Sequence, residues 1–229
     1  MLRNVSLNVS PGEFVAIVGG TGTGKSSLVN LIPRFYDVHR GKVLVDGLDV
    51  RDYPLDGLRG RIGMVLQNNV LFSGTIRENL LWGNENATEE ELVQAAKDAQ
   101  AYDFIMSFPD GFDTRLDQGG VNVSGGQKQR LCIARAMVRK PAVLILDDST
   151  SAVDSATEGK IRESFRENLK DTTVIIIAQR ISSVQYADKI VVLDEGTVAD
   201  VGTHDGLMET SEIYREIYKS QQEGGGTNE

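Results

Sequence analysis

The stretch GGTGTGKS, residues 19–26, constrains this chain more than any other. It follows the apolar run EFVAIV and opens the helically spaced KSSLVNLI, so glycines stand where a strand must give way to a helix. Glycines permit a loop whose N–H groups point inward, and the helix N-terminus behind it adds positive potential; together they cradle phosphate oxygens. Gly20, Thr21, Gly22, Thr23, Gly24, Lys25, Ser26 and Ser27 are therefore the candidate nucleotide-binding residues, with Lys25 directed at the β and γ phosphates and Ser26 at a Mg²⁺ ion. The glycines do not fall as the G-x-G-x-x-G of a dinucleotide fold. No N-K-x-D motif of a guanine-reading protein occurs.

The remaining pattern supplies a sheet for that loop. KVLVDGLDV reads as a hairpin around Asp46-Gly47, and IGMVL as a strand ending at Gln67. From Thr75 to about Gly119 the pattern turns helical: TEEELVQAAKDAQA opens with a capping box of Thr88 and Glu91, and DFIMSF is a second apolar piece. SGGQKQRLCIARAMVRKP starts a helix at Ser124 that closes before Pro141. Strands VLIL, TVIIIA, KIVVLDEG and TVADVG follow, with the helix ATEGKIRESFRENL after the first. The predicted fold is α/β, a P-loop NTPase core with a parallel sheet, an N-terminal antiparallel β portion and an α-helical insert.

At 229 residues the chain buries a core without crosslinks, and its one cysteine, Cys132, reads as a small buried hydrophobe. A net charge of −9 with a pI near 4.9 disfavours binding to nucleic acid phosphates. The longest apolar runs are strand-length, short of the roughly 20 residues that cross a bilayer. His39 and His204 lack metal-ligand spacing and are expected at the surface, and Trp82 is expected to pack within the helical insert.

In VLILDDSTSAVD four apolar residues run into two carboxylates. A buried strand can thus deliver Asp147 to a Mg²⁺ shell and Asp148 to the place where a water attacks the γ-phosphate. VSGGQKQR, residues 123–130, makes a second anion-binding helix end, with Ser124 as N-cap and Gly125 and Gly126 allowing close backbone approach.

This ordered set resembles the nucleotide-binding domain of ABC transporters along nearly the whole chain: Walker A GGTGTGKS, Q-loop Gln67, signature VSGGQ, Walker B VLILD and the D-loop SAVD ending at Asp154. NVLFSGTIRENLLWG and FPDGFDT further resemble its exporter branch. The resemblance implies one domain over 1–221, with a RecA-like core at about 1–74 and 141–221 and a helical subdomain at about 75–140; the tail at 222–229 lacks apolar residues and is expected to be disordered. It implies ATP and Mg²⁺ as cofactors, the metal held by Ser26, Gln67 and Asp147. It also implies head-to-tail pairing with a second such domain, in which Ser124, Gly125, Gly126, Gln127 and Asp154 join the nucleotide contacts. Attachment to a transmembrane domain at the cytoplasmic face of the membrane is implied as well, with Gln67 and the helical insert relaying closure.

Three departures stand out. The family's Glu after Walker B is Asp148, its switch histidine is Gln179, and LDQGG at residues 116–120 replaces an acidic-arginine-glycine run. Asp is shorter by roughly 1.5 Å of reach, and a misplacement of about 1 Å can lower a rate on the order of a hundredfold. Gln179 can hydrogen-bond a γ-phosphate oxygen but cannot carry a proton's charge as imidazole does. The resemblance therefore points to the degenerate-site half of a heterodimeric exporter, with Asp148 and Gln179 as its altered catalytic pair. A homodimeric exporter ATPase in which Asp148 suffices is the first rival; a soluble ABC protein of DNA repair or translation is the second, and a binding-only regulatory module the third. The short start MLRNVSL is expected to lack the family's adenine-stacking aromatic residue, as in an excised fragment.

Overall fold

A computed structural model describes residues 1–148 and 152–224, with backbone alone at Ser182 and residues 222–224. Ser151 of the D-loop and residues 225–229 of the tail lie outside the described residues. The strands are β1 (Phe14–Val18), β2 (Leu44–Val45), β3 (Leu48–Asp49), β4 (Ile62–Val65), β5 (Gly74–Thr75), β6 (Arg115–Leu116), β7 (Val143–Asp147), β8 (Thr173–Ile177), β9 (Lys189–Asp194) and β10 (Thr197–Gly202). The helices are α1 (Lys25–Val29), α2 (Leu55–Gly60), α3 (Ile76–Leu81), α4 (Glu89–Asp98), α5 (Tyr102–Ser107), α6 (Gly125–Val138), α7 (Ser155–Asn168), α8 (His204–Thr210) and α9 (Glu212–Gly224). Among the described residues no helix is long and apolar enough to cross a membrane.

The chain forms two compact units, Met1–Arg59 with the chain from Thr173 onward, and Gly60–Thr172. In the first, β1 lies between β8 and β9 and is parallel to both, while β10 returns antiparallel to β9. All five residues of β1 are buried, as are the last four of β8 and the central four of β9. Such continuous apolar runs belong to parallel strands covered on both faces. β10 alternates instead between exposed and half-buried positions, as a strand with one wet face does. The hairpin β2–β3 turns at Asp46-Gly47 as its sequence predicts, with both residues at positive φ.

Two helices that the strand-by-strand reading passed over, α8 and α9, complete this unit. Tyr214 of α9 is fully buried, and its hydroxyl meets Nδ1 of His204 at 2.9 Å. The Ser211 hydroxyl donates to Asp200 Oδ2 of β10 at 2.6 Å and accepts from the Tyr214 N–H. His204 is thus half-buried and engaged rather than at the surface, whereas His39 is exposed. α9 runs to Gly224 and so takes in the first residues of the expected tail.

In the second unit β4 and β7 pair in parallel, and α6 packs against α3 and α4. Leu131, Ile133 and Ala134 of α6 are fully buried. Helix starts are set by local chemistry: Thr75 with Glu78, Thr88 with Glu91 and Ser124 with Gln127 each form a reciprocal capping box. Asp98 at the end of α4 joins it to α7, its Oδ1 accepting from Ser164 Oγ at 3.0 Å and from Asn168 Nδ2 at 2.7 Å. Cys132 is buried as predicted, and burial pushes its thiol pKa up. Trp82 is not packed inside the insert. It is 67% exposed and lies against Phe72, ring centroids 5.0 Å apart.

Candidate functional site

The glycine loop turns out of β1 through positions at which a side chain would clash or the backbone takes positive φ. A Cβ on Gly19 would sit 2.2 Å from the carbonyl oxygen of Leu193 on β9, and Gly22 and Gly24 adopt φ +80° and +100°. Gly24 is the N-cap of α1 and supplies no side-chain cap; the first turn holds no acidic residue. A helix end with no side-chain cap and no acid in its first turn suits an anion. Lys25 Nζ bridges the loop, donating to Gly19 O at 2.9 Å and Gly20 O at 2.7 Å. Thr23 Oγ1 donates to Gly20 O at 3.0 Å. Gly20, Thr21, Gly22, Ser26 and Ser27 are exposed.

Strand register places the other residues. In the first unit Ile17 of β1 is paired with Ile177 of β8, so Gly19 and Gln179 both stand two residues further along neighbouring parallel strands. In the second unit Val65 of β4 is paired with Leu146 of β7, and the same step brings Gln67 beside Asp148. The result is a hydrogen bond from Gln67 Nε2 to Asp148 Oδ2 at 3.2 Å. Both cases lie at the carboxyl ends of parallel strands, where α/β folds bind ligands. Asp147 and Asp148 are buried, and Asp148 takes φ +49°, a left-handed turn that Asp tolerates better than most residues.

Around the signature, Ser124 Oγ accepts from Gln127 N at 3.2 Å while Gln127 Oε1 accepts from Ser124 N at 2.9 Å. Both side chains predicted to face a nucleotide thus cap α6, whose first turn carries no acidic residue. Gly126 has a further role: a Cβ there would lie 2.9 Å from Ala152 O, so the glycine lets the D-loop backbone press onto the helix. Asp154 caps α7, accepting from Thr157 N at 2.9 Å, and that bond holds its carboxyl below the usual range.

Residues 2–151 match the family model described as ABC transporter. The chain belongs to the ABC transporter family. The domain is 51% identical over 221 residues to YgaD of Bacillus subtilis, named a putative multidrug export ATP-binding/permease protein; the match takes in 96% of this chain and 38% of the relative. A Staphylococcus aureus (strain NCTC 8325 / PS 47) protein of the same description is 48% identical over 221 residues, again with 96% and 38% covered. A solved structure, that of a bacterial Atm1-family ABC exporter with ATP bound, superposes with a TM-score of 0.93 at 40% identity, covering 96% of this chain and 38% of the other. The domain therefore spans about two fifths of the length of the proteins it matches.

Two glutamines escaped the sequence reading of this ABC domain. Gln129, almost fully buried on α6, accepts from the Ala152 N–H at 2.9 Å and so ties the signature helix to the D-loop. Gln221 on α9 bonds the backbone at Gln179 and Ile181. Gln129 stands two residues past the signature, and its burial is a fact of the fold. Gln221, in a polar tail segment, carried no signal.

Proposed function

We propose that this chain is the ATP-binding domain of an ABC exporter, closing with a second nucleotide-binding domain around Mg·ATP to drive transport through a transmembrane portion. The second domain is a non-identical one. The glycine loop and Lys25 hold the phosphates. Ser26, Gln67 and Asp147 offer oxygen donors of the hard kind that Mg²⁺ prefers, and the metal when bound neutralises charge on the β and γ phosphates. Asp148 accepts a proton from the attacking water, Gln67 aligns its carboxylate, and Gln179 donates to a γ-phosphate oxygen. The signature helix end, with Ser124 and Gly126, completes the partner's site.

The observation that carries this reading is the pairing of Gln67 with Asp148 at the end of a buried strand. In this reading Asp148 serves as the base on a side chain one methylene shorter than Glu, so the chain's own site binds ATP and turns over slowly. Phosphate release at saturating Mg·ATP tests it. The wild-type chain should be slow, and Asp148→Glu with Gln179→His should raise turnover at least about tenfold, about 1.4 kcal/mol of barrier. A brisk wild type, or no gain in the double variant, would sink the slow-site reading.

A further inference from the structure

We infer that Gln221 is a positioning residue for Gln179, through which the C-terminal helix α9 sets where the γ-phosphate contact stands. The inference rests on the role given to Gln179 under the proposed function. Gln221 Nε2 donates to Gln179 O at 2.6 Å, and its Oε1 accepts from Ile181 N at 2.8 Å. One planar carboxamide therefore brackets Arg180 and uses both its donor and its acceptor on the main chain.

That stretch of main chain is where the sheet lets go. Ala178 N still donates to Ile17 O, at 3.3 Å, and beyond it a 3-10 turn begins at Ile181. Arg180, the N-cap of that turn, makes no side-chain cap bond. Gln221 supplies the missing cap from another helix, and by holding the Gln179 carbonyl it fixes the peptide from which the Gln179 side chain springs.

α9 is suited to hold that point because it is anchored elsewhere. Tyr214 is fully buried against His204, Ser211 bonds Asp200, and Arg215 Nη1 donates to Met208 O and Glu209 O. From Tyr214 to Gln221 the helix rises about 10 Å. It is a strut between the β10–α8 corner and the turn that follows Gln179. The clamp needs an amide: Glu at 221 keeps the bond from Ile181 N but turns a carboxylate oxygen toward the Gln179 carbonyl, and Leu loses both bonds. Since the glycine loop carries nucleotide affinity, loosening the clamp lowers kcat and leaves KM for Mg·ATP nearly unchanged.

The experiment compares the 229-residue chain with Gln221→Leu, Gln221→Glu, Gln179→Ala and Gln179→Ala/Gln221→Leu. We expect Gln221→Leu and Gln221→Glu each to lower kcat at least about threefold, with KM within about twofold. In the Gln179→Ala background Gln221→Leu should change kcat by less than about 1.5-fold, the coupling expected of residues acting as a unit. Amide exchange at Ile181 should accelerate in Gln221→Leu and stay protected in Gln221→Glu, which also serves if the Leu variant does not fold. Gln221 variants with wild-type kcat beside an impaired Gln179→Ala would overturn the inference alone, as would a full loss repeated in the Gln179→Ala background. Wild-type kcat in Gln179→Ala would overturn the reading of Gln179 and the inference with it.

Discussion

Gly19 shows how much of this site depends on single atoms. Its absent Cβ leaves room for the Leu193 carbonyl, so Gly19→Ala would press a methyl to within 2.2 Å of a backbone oxygen. We predict a loss of about 1 to 3 kcal/mol in urea unfolding, as for other overpacked positions, together with weaker ATP binding by titration calorimetry. Lys25→Ala removes the ammonium that spans the loop, and ATP affinity should fall at least about tenfold, or about 1.4 kcal/mol. Tyr214 makes a different prediction. Burial, with Tyr218 nearby, pushes its hydroxyl up from an ordinary value of 10 to about 12. The folded pKa lies above the unfolded one, so this stabilisation is complete below pH 10 and is lost as pH rises toward 12. The thermal midpoint should fall through that window, and Tyr214→Phe should lessen the fall while lowering the midpoint at neutral pH through the lost His204 bond.

Among the elements, the helix starts were legible because a capping box is written within four consecutive residues. Thr88 with Glu91 opens α4 and Ser124 caps α6, each as its sequence predicts. Thr88→Ala should cost about 1 kcal/mol of stability without altering ATP binding, which urea unfolding and calorimetry would separate. Asp98→Ala strands donors from α7 and should cost on the order of 3 kcal/mol in the same assay. The helices α8 and α9 were missed although Ile213, Tyr214, Ile217 and Tyr218 have helical spacing and Thr203 caps α8. There the signal existed. Trp82 was misplaced for a physical reason: a single aromatic side chain has no periodicity of its own, and which way it faces depends on how α3 docks.

For the whole molecule, the proposed closure around ATP is a property of two chains. Mixed with the non-identical second domain, the chain should form a nucleotide-dependent heterodimer in light scattering with Mg·ATP, and Ser124→Arg should abolish it while ATP binding to the glycine loop persists. A dimer that forms equally well without nucleotide would count against closure. The sequence by itself determined the local chemistry: a loop that must be glycine, buried strands that end in carboxylates, helices with their caps, and the family those motifs spell in order. Tertiary structure alone decided which of those groups meet. Gln67 reaches Asp148 across 81 positions through the register of β4 on β7, and Gln221 reaches Gln179 across 42 through the docking of α9. Strand register and helix docking are settled by the packing of the entire core, and no short stretch of residues encodes them.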